Sequence, residues 1–335
     1  MHTGNTQNHV RIYGTLGPAC GEPALLAAML AEGLDGMRLN LSHATLAESA
    51  DVIEAFHQAA DGYGMHPELL IDLMGPELRV GRLSEPLSLR PGEAIDADAL
   101  PFPDVVRNIL RASIPDRDIL LDDGKILLRT EVDHRLRVVH GGVLESRKSV
   151  ALPGYSIPSP ALTKADKANL KQARSFGVTG VMQPFVRSAK DLLAVREAIG
   201  TGGTPLRLFA KIENADGIAH LFELIPHCDE IIIARGDLGN AMPLWELPAA
   251  QKRIAKACRD ANRDFMVVTQ MLDSMMHRAV PTRAEVSDIF NAVLDGASSV
   301  MVTGETASGE YPVEAIRYLV RTVREAEAYR NANLS

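Results

Sequence analysis

Eight apolar, strand-like runs recur along these 335 residues, and nearly all are followed by a helix-like stretch. They are Val10–Leu16, Gly36–Leu41, Leu69–Met74, Val178–Phe185, Leu206–Glu213, Glu230–Gly236, Phe265–Met271 and Ser298–Gly304. Amphipathic patterns lie between them: Pro23–Glu32, Leu46–Ala60, Lys164–Phe176, Ala189–Ile199, Leu247–Asn262, Arg283–Asp295 and Val313–Ala328. A strand that is apolar on both faces and alternates with helices belongs to parallel βαβ units. Eight such units predict an α/β fold, a closed (β/α)8 TIM barrel. The runner-up, an open doubly wound sheet, lacks a G-x-G-x-x-G after the first strand. Aromatic residues make up only 4% of the chain, so Ala, Leu and Val must fill most of the core.

The alternation breaks once, between the third run and the helix at Lys164. From about Gly81 to Val150 the turn signals Pro91-Gly92, Asp122-Asp123-Gly124 and Gly141-Gly142 separate alternating runs such as Lys125–Val132 and Leu136–His140. A structureless loop of that length would be unusual. The expected organisation is a barrel over residues 1–80, a small inserted β domain acting as a lid over 81–152, and the rest of the barrel over 153–335. Hinges are expected near Gly81 and near Pro153-Gly154.

Charge and cysteine content narrow the function classes. A net charge of −8 argues against general nucleic-acid binding, which needs a basic face. Three widely spaced cysteines, Cys20, Cys228 and Cys258, offer no disulfide framework and suit a reducing cytoplasm. Met1–His9 is polar and lacks a signal-peptide core. No apolar run approaches the roughly 18 residues of a membrane span. A cytoplasmic protein acting on small molecules, without nucleic acid or membrane partners, is the expectation.

In (β/α)8 barrels the active site lies at the C-terminal strand ends, and there charged residues gather. The second strand ends in Arg38, Asn40, Ser42 and His43; the third brings Asp72 and Glu77 through Arg79. Later strands bring Lys211, Glu213 and Asn214, then Arg235 and Asp237, then Thr269 and Gln270, then Thr303, Glu305 and Thr306. Side chains alternate with period two, so Lys211 and Glu213 share a face. Any one of these residues reads equally as a solvated strand end or a helix cap; their repetition on one rim does not. Glu213 and Asp237 are hard oxygen ligands suited to Mg²⁺ or Mn²⁺. Arg38 and Arg79 can fork onto phosphate or carboxylate, and Lys211 can neutralise charge on a transferring phosphoryl group. Asn40, Ser42 and Asp72 suit a weakly hydrated monovalent cation. The residues alone predict metal-assisted chemistry on a small phosphorylated or enolisable acid.

With these motifs in place the chain resembles pyruvate kinase, from about Val10 to Ala328. The resemblance rests on Thr15-Leu16-Gly17-Pro18-Ala19, Arg38 to His43, Asp72 to Arg79, Leu121-Asp122-Asp123-Gly124, Leu152-Pro153-Gly154, Ala210 to Asn214 and Ala234 to Gly239. Its most specific parts are Thr269 to Met275, Pro281 to Glu285, Asn291 to Gly296 and Gly304-Glu305-Thr306-Ala307. It implies a lidded barrel transferring phosphoryl from phosphoenolpyruvate to ADP. Glu213 and Asp237 would hold the divalent metal, Lys211 would bridge the phosphoryl group, and Arg38 would contact phosphate. Thr269 would sit near the enolpyruvate carbon, and backbone N–H groups of Gly236 and Asp237 would receive the carboxylate. Asn40, Ser42, Asp72 and the Leu73 carbonyl would form a potassium site, with Glu77 matching potassium-dependent members. His43, Arg79, Lys148 and Asn40 would lie along the nucleotide path.

The chain departs from the family pattern at several positions. Leu73-Met74 stands for the usual Thr-Lys, Pro184 for a serine, Ser149 and Ala151 for glycine and asparagine, and Ser308 for lysine or asparagine. The lid is shorter than usual, and the C-terminal effector domain is expected to be absent, which leaves a homo-oligomer, a dimer, as the expected assembly. Two other readings stay open: a divergent paralogue using Mg²⁺ and an enolpyruvate or 2-oxo acid for decarboxylation, C–C lysis or another acceptor, and a catalytically silent binding protein.

Overall fold

The computed structural model describes residues 9–155 and 159–333; of the polar segment Met1–His9, only His9 is among them. Eight parallel strands close into a barrel: β1 (Arg11–Thr15), β2 (Gly36–Asn40), β3 (Glu68–Asp72), β11 (Gly180–Gln183), β12 (Arg207–Ile212), β13 (Glu230–Ala234), β14 (Asp264–Val268) and β15 (Ser299–Met301). Seven further strands, β4 (Leu87–Leu89), β5 (Ala94–Asp96), β6 (Asp118–Leu121), β7 (Ile126–Thr130), β8 (Arg135–His140), β9 (Gly142–Leu144) and β10 (Val150–Ala151), fall between β3 and β11. The fold is the (β/α)8 barrel that the alternation of runs predicts.

Residue alternation explains the barrel wall. On β12, Leu208, Ala210 and Ile212 pack outward against the helices, within the large core that surrounds the barrel. Phe209 points inward and joins Tyr13, Leu70, Met182, Ile232, Ala234, Met266, Val268 and Met301 in a separate apolar cluster inside it. Since period two carries the inward face from Phe209 to Lys211 and on to Glu213, those two side chains enter the barrel mouth above that apolar layer. The same alternation turns Arg38 inward, since its neighbours Met37 and Leu39 pack outward, and places Asp72 above Leu70.

The lower end of the barrel is charged. Glu230, fully buried, accepts bonds from Arg11 at 2.9 Å and Arg207 at 2.5 Å. Ser299 donates to its other oxygen. Arg207 also binds both oxygens of Glu68, at 3.1 and 3.0 Å. Burial alone would make such carboxylates costly; two cations and a hydroxyl offset that cost.

The inserted strands build a five-stranded antiparallel sheet, order β10-β6-β7-β8-β5, and a two-stranded one, β4-β9. A hydrophobic cluster distinct from the barrel cores runs from Leu78 to Leu152 and includes Phe102, Val106, Leu121, Leu128 and Val138. One helix, Asp104–Ala112, was not expected in this stretch. Its Val105, Val106, Ile109 and Leu110 give one apolar face, but Pro101 and Pro103 in front of it read as loop punctuation.

Candidate active site

Four charged side chains from three barrel strands meet at the mouth. Arg38 on β2 places Nε and Nη2 at 3.0 and 2.7 Å from Asp72 Oδ2. Lys211 on β12 donates to the same oxygen at 2.9 Å, and its Nζ lies 2.8 Å from Glu213 Oε1. The Lys211 ammonium is thus shared between the two carboxylates. Asp72 Oδ1, in contrast, is a buried carboxylate oxygen with no hydrogen-bond donor among the described residues. Glu213 Oε2 accepts the Phe185 N–H at 2.8 Å.

The electrostatics follow from this packing. Burial pushes the Asp72 carboxyl up, but the Lys211 and Arg38 cations outweigh it and hold it below the usual range. Burial disfavours the Lys211 cation, yet Asp72 and Glu213 raise its pKa above the ordinary lysine value. Asp237, in the helix Arg235–Ala241 after β13, has no comparable cation. Burial, then the negative charge of Glu213, push it up to about 7, with Lys211 offsetting part of the rise. Glu77 is raised for the same first reason, against the opposing pull of its ion-pair partner Arg79 at 2.9 Å. The site holds more carboxylate than its own cations compensate, and that imbalance suits a bound cation.

Two adjoining cavities open here. One, of about 210 Å³, is lined by Arg38, Asn40, Ser42, His43, Asp72, Leu73, Met74, Glu77, Arg79, Asp123, Pro184, Phe185, Lys211 and Asp237. The other, of about 260 Å³, is bounded by Glu213, Asn214, Asp237 and Asn240 on the barrel side and by Leu152, Pro153 and Tyr155 at the root of the insert. Both are lined by Glu77, Phe185 and Asp237. His43, exposed at the edge of the smaller cavity, is shifted below its usual pKa by partial desolvation, then by Arg79 and Arg38.

Most of the residues expected at the site converge, but not all. Lys148 lines neither cavity; it stays on the insert, 3.0 Å from Asp122 and 3.2 Å from Glu145. Thr269 and Gly236 also lie outside both linings and pack on each other: a Cβ on Gly236 would stand 3.1 Å from Thr269 Cγ2. Thr269 and Gln270 have φ of 79° and 54°, a conformation that is strained for a β-branched residue. Asn40 Oδ1 accepts the Ser42 N–H at 3.1 Å and so shapes the turn after β2.

Residues given no role at the site from the sequence also contribute. Ser149 donates to Asp123 Oδ1 at 2.7 Å and accepts the Asp123 N–H at 2.8 Å. It thereby fixes the turn that brings Asp123 into the smaller cavity. Gly124 in that turn approaches the helix Arg235–Ala241 so closely that a Cβ would meet Asn240 Oδ1 at 2.7 Å. The departures Met74 and Pro184 are both in the smaller cavity's wall. The Asp122-Asp123-Gly124 turn signal was the one sequence hint of this contact.

Comparison with known proteins agrees with this architecture. The sequence model of the pyruvate kinase barrel domain matches residues 7–316. The pyruvate kinase of Mycobacterium intracellulare is 38% identical over 330 residues, 95% of this chain and 70% of that one. That of Agrobacterium vitis is 35% identical over 336 residues, 96% of this chain and 69% of that one. That of Thermococcus litoralis is 34% identical over 334 residues, 96% of this chain and 70% of that one. None of these favours the reading in which the barrel performs decarboxylation or C–C lysis. Among the described residues no helix is long and apolar enough to cross a membrane. With the closed barrel, its charged mouth and matches over nearly its whole length, the chain belongs to the pyruvate kinase family and is a phosphotransferase.

Proposed function

We propose that this chain transfers a phosphoryl group from phosphoenolpyruvate to ADP, giving pyruvate and ATP. The observation that carries the reading is Lys211 Nζ, held 2.9 Å from Asp72 and 2.8 Å from Glu213 at the barrel mouth. An ammonium fixed by two carboxylates is preorganised to meet charge that develops on a transferring phosphoryl group. Arg38, oriented by the same Asp72, contacts phosphate oxygens from the β2 side. Backbone N–H groups of Gly236 and Asp237, in the first turn of their helix, lack intrahelical partners and receive the substrate carboxylate. Thr269 lies beside Gly236 and faces the carbon that gains a proton when the enolate becomes pyruvate.

A divalent ion fits the residues present. Glu213 and Asp237 line one cavity, and Asp237 is raised by burial and then by the Glu213 charge. Two carboxylates, with the remaining positions left for substrate and water, match the way Mg²⁺ or Mn²⁺ is bound beside phosphates. When bound, the metal supplies charge neutralisation on enolate and phosphoryl oxygens. Potassium is proposed at Asn40, Ser42, Asp72 and the Leu73 carbonyl; the donorless Asp72 Oδ1 supports it. His43, Arg79 and Asn40 form the nucleotide side, with Lys148 brought in by the insert, residues 81–152, acting as a lid hinged to the barrel. Self-association, as a dimer, is part of the proposal, supported by Leu244 and Trp245, 68% and 83% exposed, just after the active-site helix.

The test is direct. Protein is mixed with phosphoenolpyruvate, ADP, Mg²⁺ and K⁺, and pyruvate is followed in a coupled assay. Turnover that Lys211→Met removes without lowering the melting temperature supports the proposal. No pyruvate from ADP or any other nucleoside diphosphate refutes it.

A further inference from the structure

Arg235 opens the helix that carries Asp237, yet its side chain turns away from both cavities toward the loop after β14. Its Nε and Nη2 donate to the Thr269 carbonyl at 3.0 and 2.7 Å. Nη2 also reaches the Gln270 carbonyl at 3.3 Å and Met271 Sδ at 3.0 Å. Nη1 donates to Asp288 on the helix Arg283–Leu294 at 2.5 Å. The guanidinium thus grips the segment whose two residues, Thr269 and Gln270, sit at positive φ. Neither is glycine or asparagine, so the conformation persists only if something outside the segment holds it. Next to Arg235, Gly236 offers a flat backbone surface on which the Thr269 side chain rests.

We infer that Arg235, anchored by Asp288, is a positioning residue that sets the Thr269 hydroxyl against the substrate's enol carbon. The inference rests on the proposed phosphoenolpyruvate chemistry. In that reaction the enolate π pair forms a C–H bond with a proton drawn from solvent at the Thr269 side, while the enolate oxygen becomes the ketone oxygen. One residue links the strand end bearing Asp237 to the strained turn bearing Thr269, so it sets their spacing. A misplacement of about 1 Å in such a constellation can cost about a hundredfold in rate. By reversibility the same geometry governs exchange of pyruvate methyl protons with D₂O.

The experiment compares wild type with R235K, D288N and D288E. It measures phosphoenolpyruvate turnover, methyl exchange of pyruvate in D₂O with Mg²⁺, and Mn²⁺ binding by electron paramagnetic resonance. Asp288 is 36% exposed on a helix surface, so D288N is expected to fold even if R235K does not. Methyl exchange and kcat at least tenfold slower in R235K and D288N, with KM and Mn²⁺ affinity within about twofold and D288E faster than D288N, support the inference. Exchange within twofold of wild type in both overturns it, as does a proportional loss of Mn²⁺ affinity, which marks a merely structural role. Wild type that turns over without methyl exchange overturns the Thr269 assignment and this inference, leaving the overall reaction standing. Wild type with neither activity overturns both.

Discussion

Asp237→Asn should stabilise the metal-free protein at neutral pH while abolishing its activity. The carboxyl at this position is raised from its usual 3.8 to about 7 by burial and by the Glu213 charge. Ionising it at pH 8 in the metal-free fold therefore costs about 4 kcal/mol at about 1.4 kcal/mol per pH unit. Glu213 and Glu77 relax and share part of that penalty, so a gain of about 2–4 kcal/mol on substitution is expected. For a chain of this size each kcal/mol moves the melting temperature by about 2 °C, which gives a rise of about 4–8 °C.

The sign is fixed by linkage. A carboxyl whose folded pKa is raised leaves stability intact below the unfolded value, and that stability is lost as pH rises from about 4 through about 7. Asparagine mimics the protonated acid at every pH. The gap between variant and wild type should thus be largest above pH 7.5 and shrink to less than half of that at pH 5. Thermal melts in EDTA at pH 5, 6.5 and 8.5 measure it. Adding Mg²⁺ should raise the wild-type melting temperature by mass action and barely move the variant, whose turnover falls by on the order of a hundredfold or more. A variant that melts lower than wild type at pH 8.5, or a gap independent of pH, would show that Asp237 is not strained by unbalanced charge.

Other outcomes follow from the same geometry. Replacing K⁺ by tetramethylammonium should slow phosphoenolpyruvate turnover at least tenfold; an unchanged rate excludes the site at Asn40, Ser42, Asp72 and Leu73. Gly236→Ala drives a methyl group against Thr269 Cγ2, 3.1 Å from where it would stand, and should lower kcat about tenfold with Mn²⁺ affinity retained, as steady-state kinetics and paramagnetic titration will show. Glu230→Gln removes the anion between Arg11 and Arg207 and should cost about 3 kcal/mol in denaturant unfolding without altering Mg²⁺ dependence; a shift in metal affinity would contradict the separation of floor from mouth.

Much of this was legible in the chain because the barrel repeats one physical rule eight times. Each apolar run became a strand, yet the runs overshot at their C-terminal ends. The runs end at Glu213 and Gly236, whereas β12 and β13 last pair at Ile212 with Ile233 and at Ala234 with Val268. Beyond those pairs Glu213 turns to the Phe185 N–H and Asp237 enters a helix. Gly236 and Gly239, which look like turn residues, give no sign of how far that helix runs. The floor network was illegible because Arg11, Glu68, Arg207 and Glu230 each look like a solvated strand start and meet only when the barrel closes. The backbone of Thr269 and Gln270 carries no composition signal, since neither residue type favours positive φ; its cause lies 34 residues back, in Arg235.

The apolar cluster inside the barrel, from Tyr13 through Phe209 and Ile232 to Met301, has a consequence for proton traffic. It stands between the charged floor and the charged mouth as an apolar layer; the one hydroxyl in it, Tyr13, is bonded downward to Glu68 at 3.1 Å and is raised far out of range by burial. The cavities open above this layer, at the mouth, so closure of the proposed lid would bear on when the enolate is quenched as well as on when the phosphoryl group is sheltered from water.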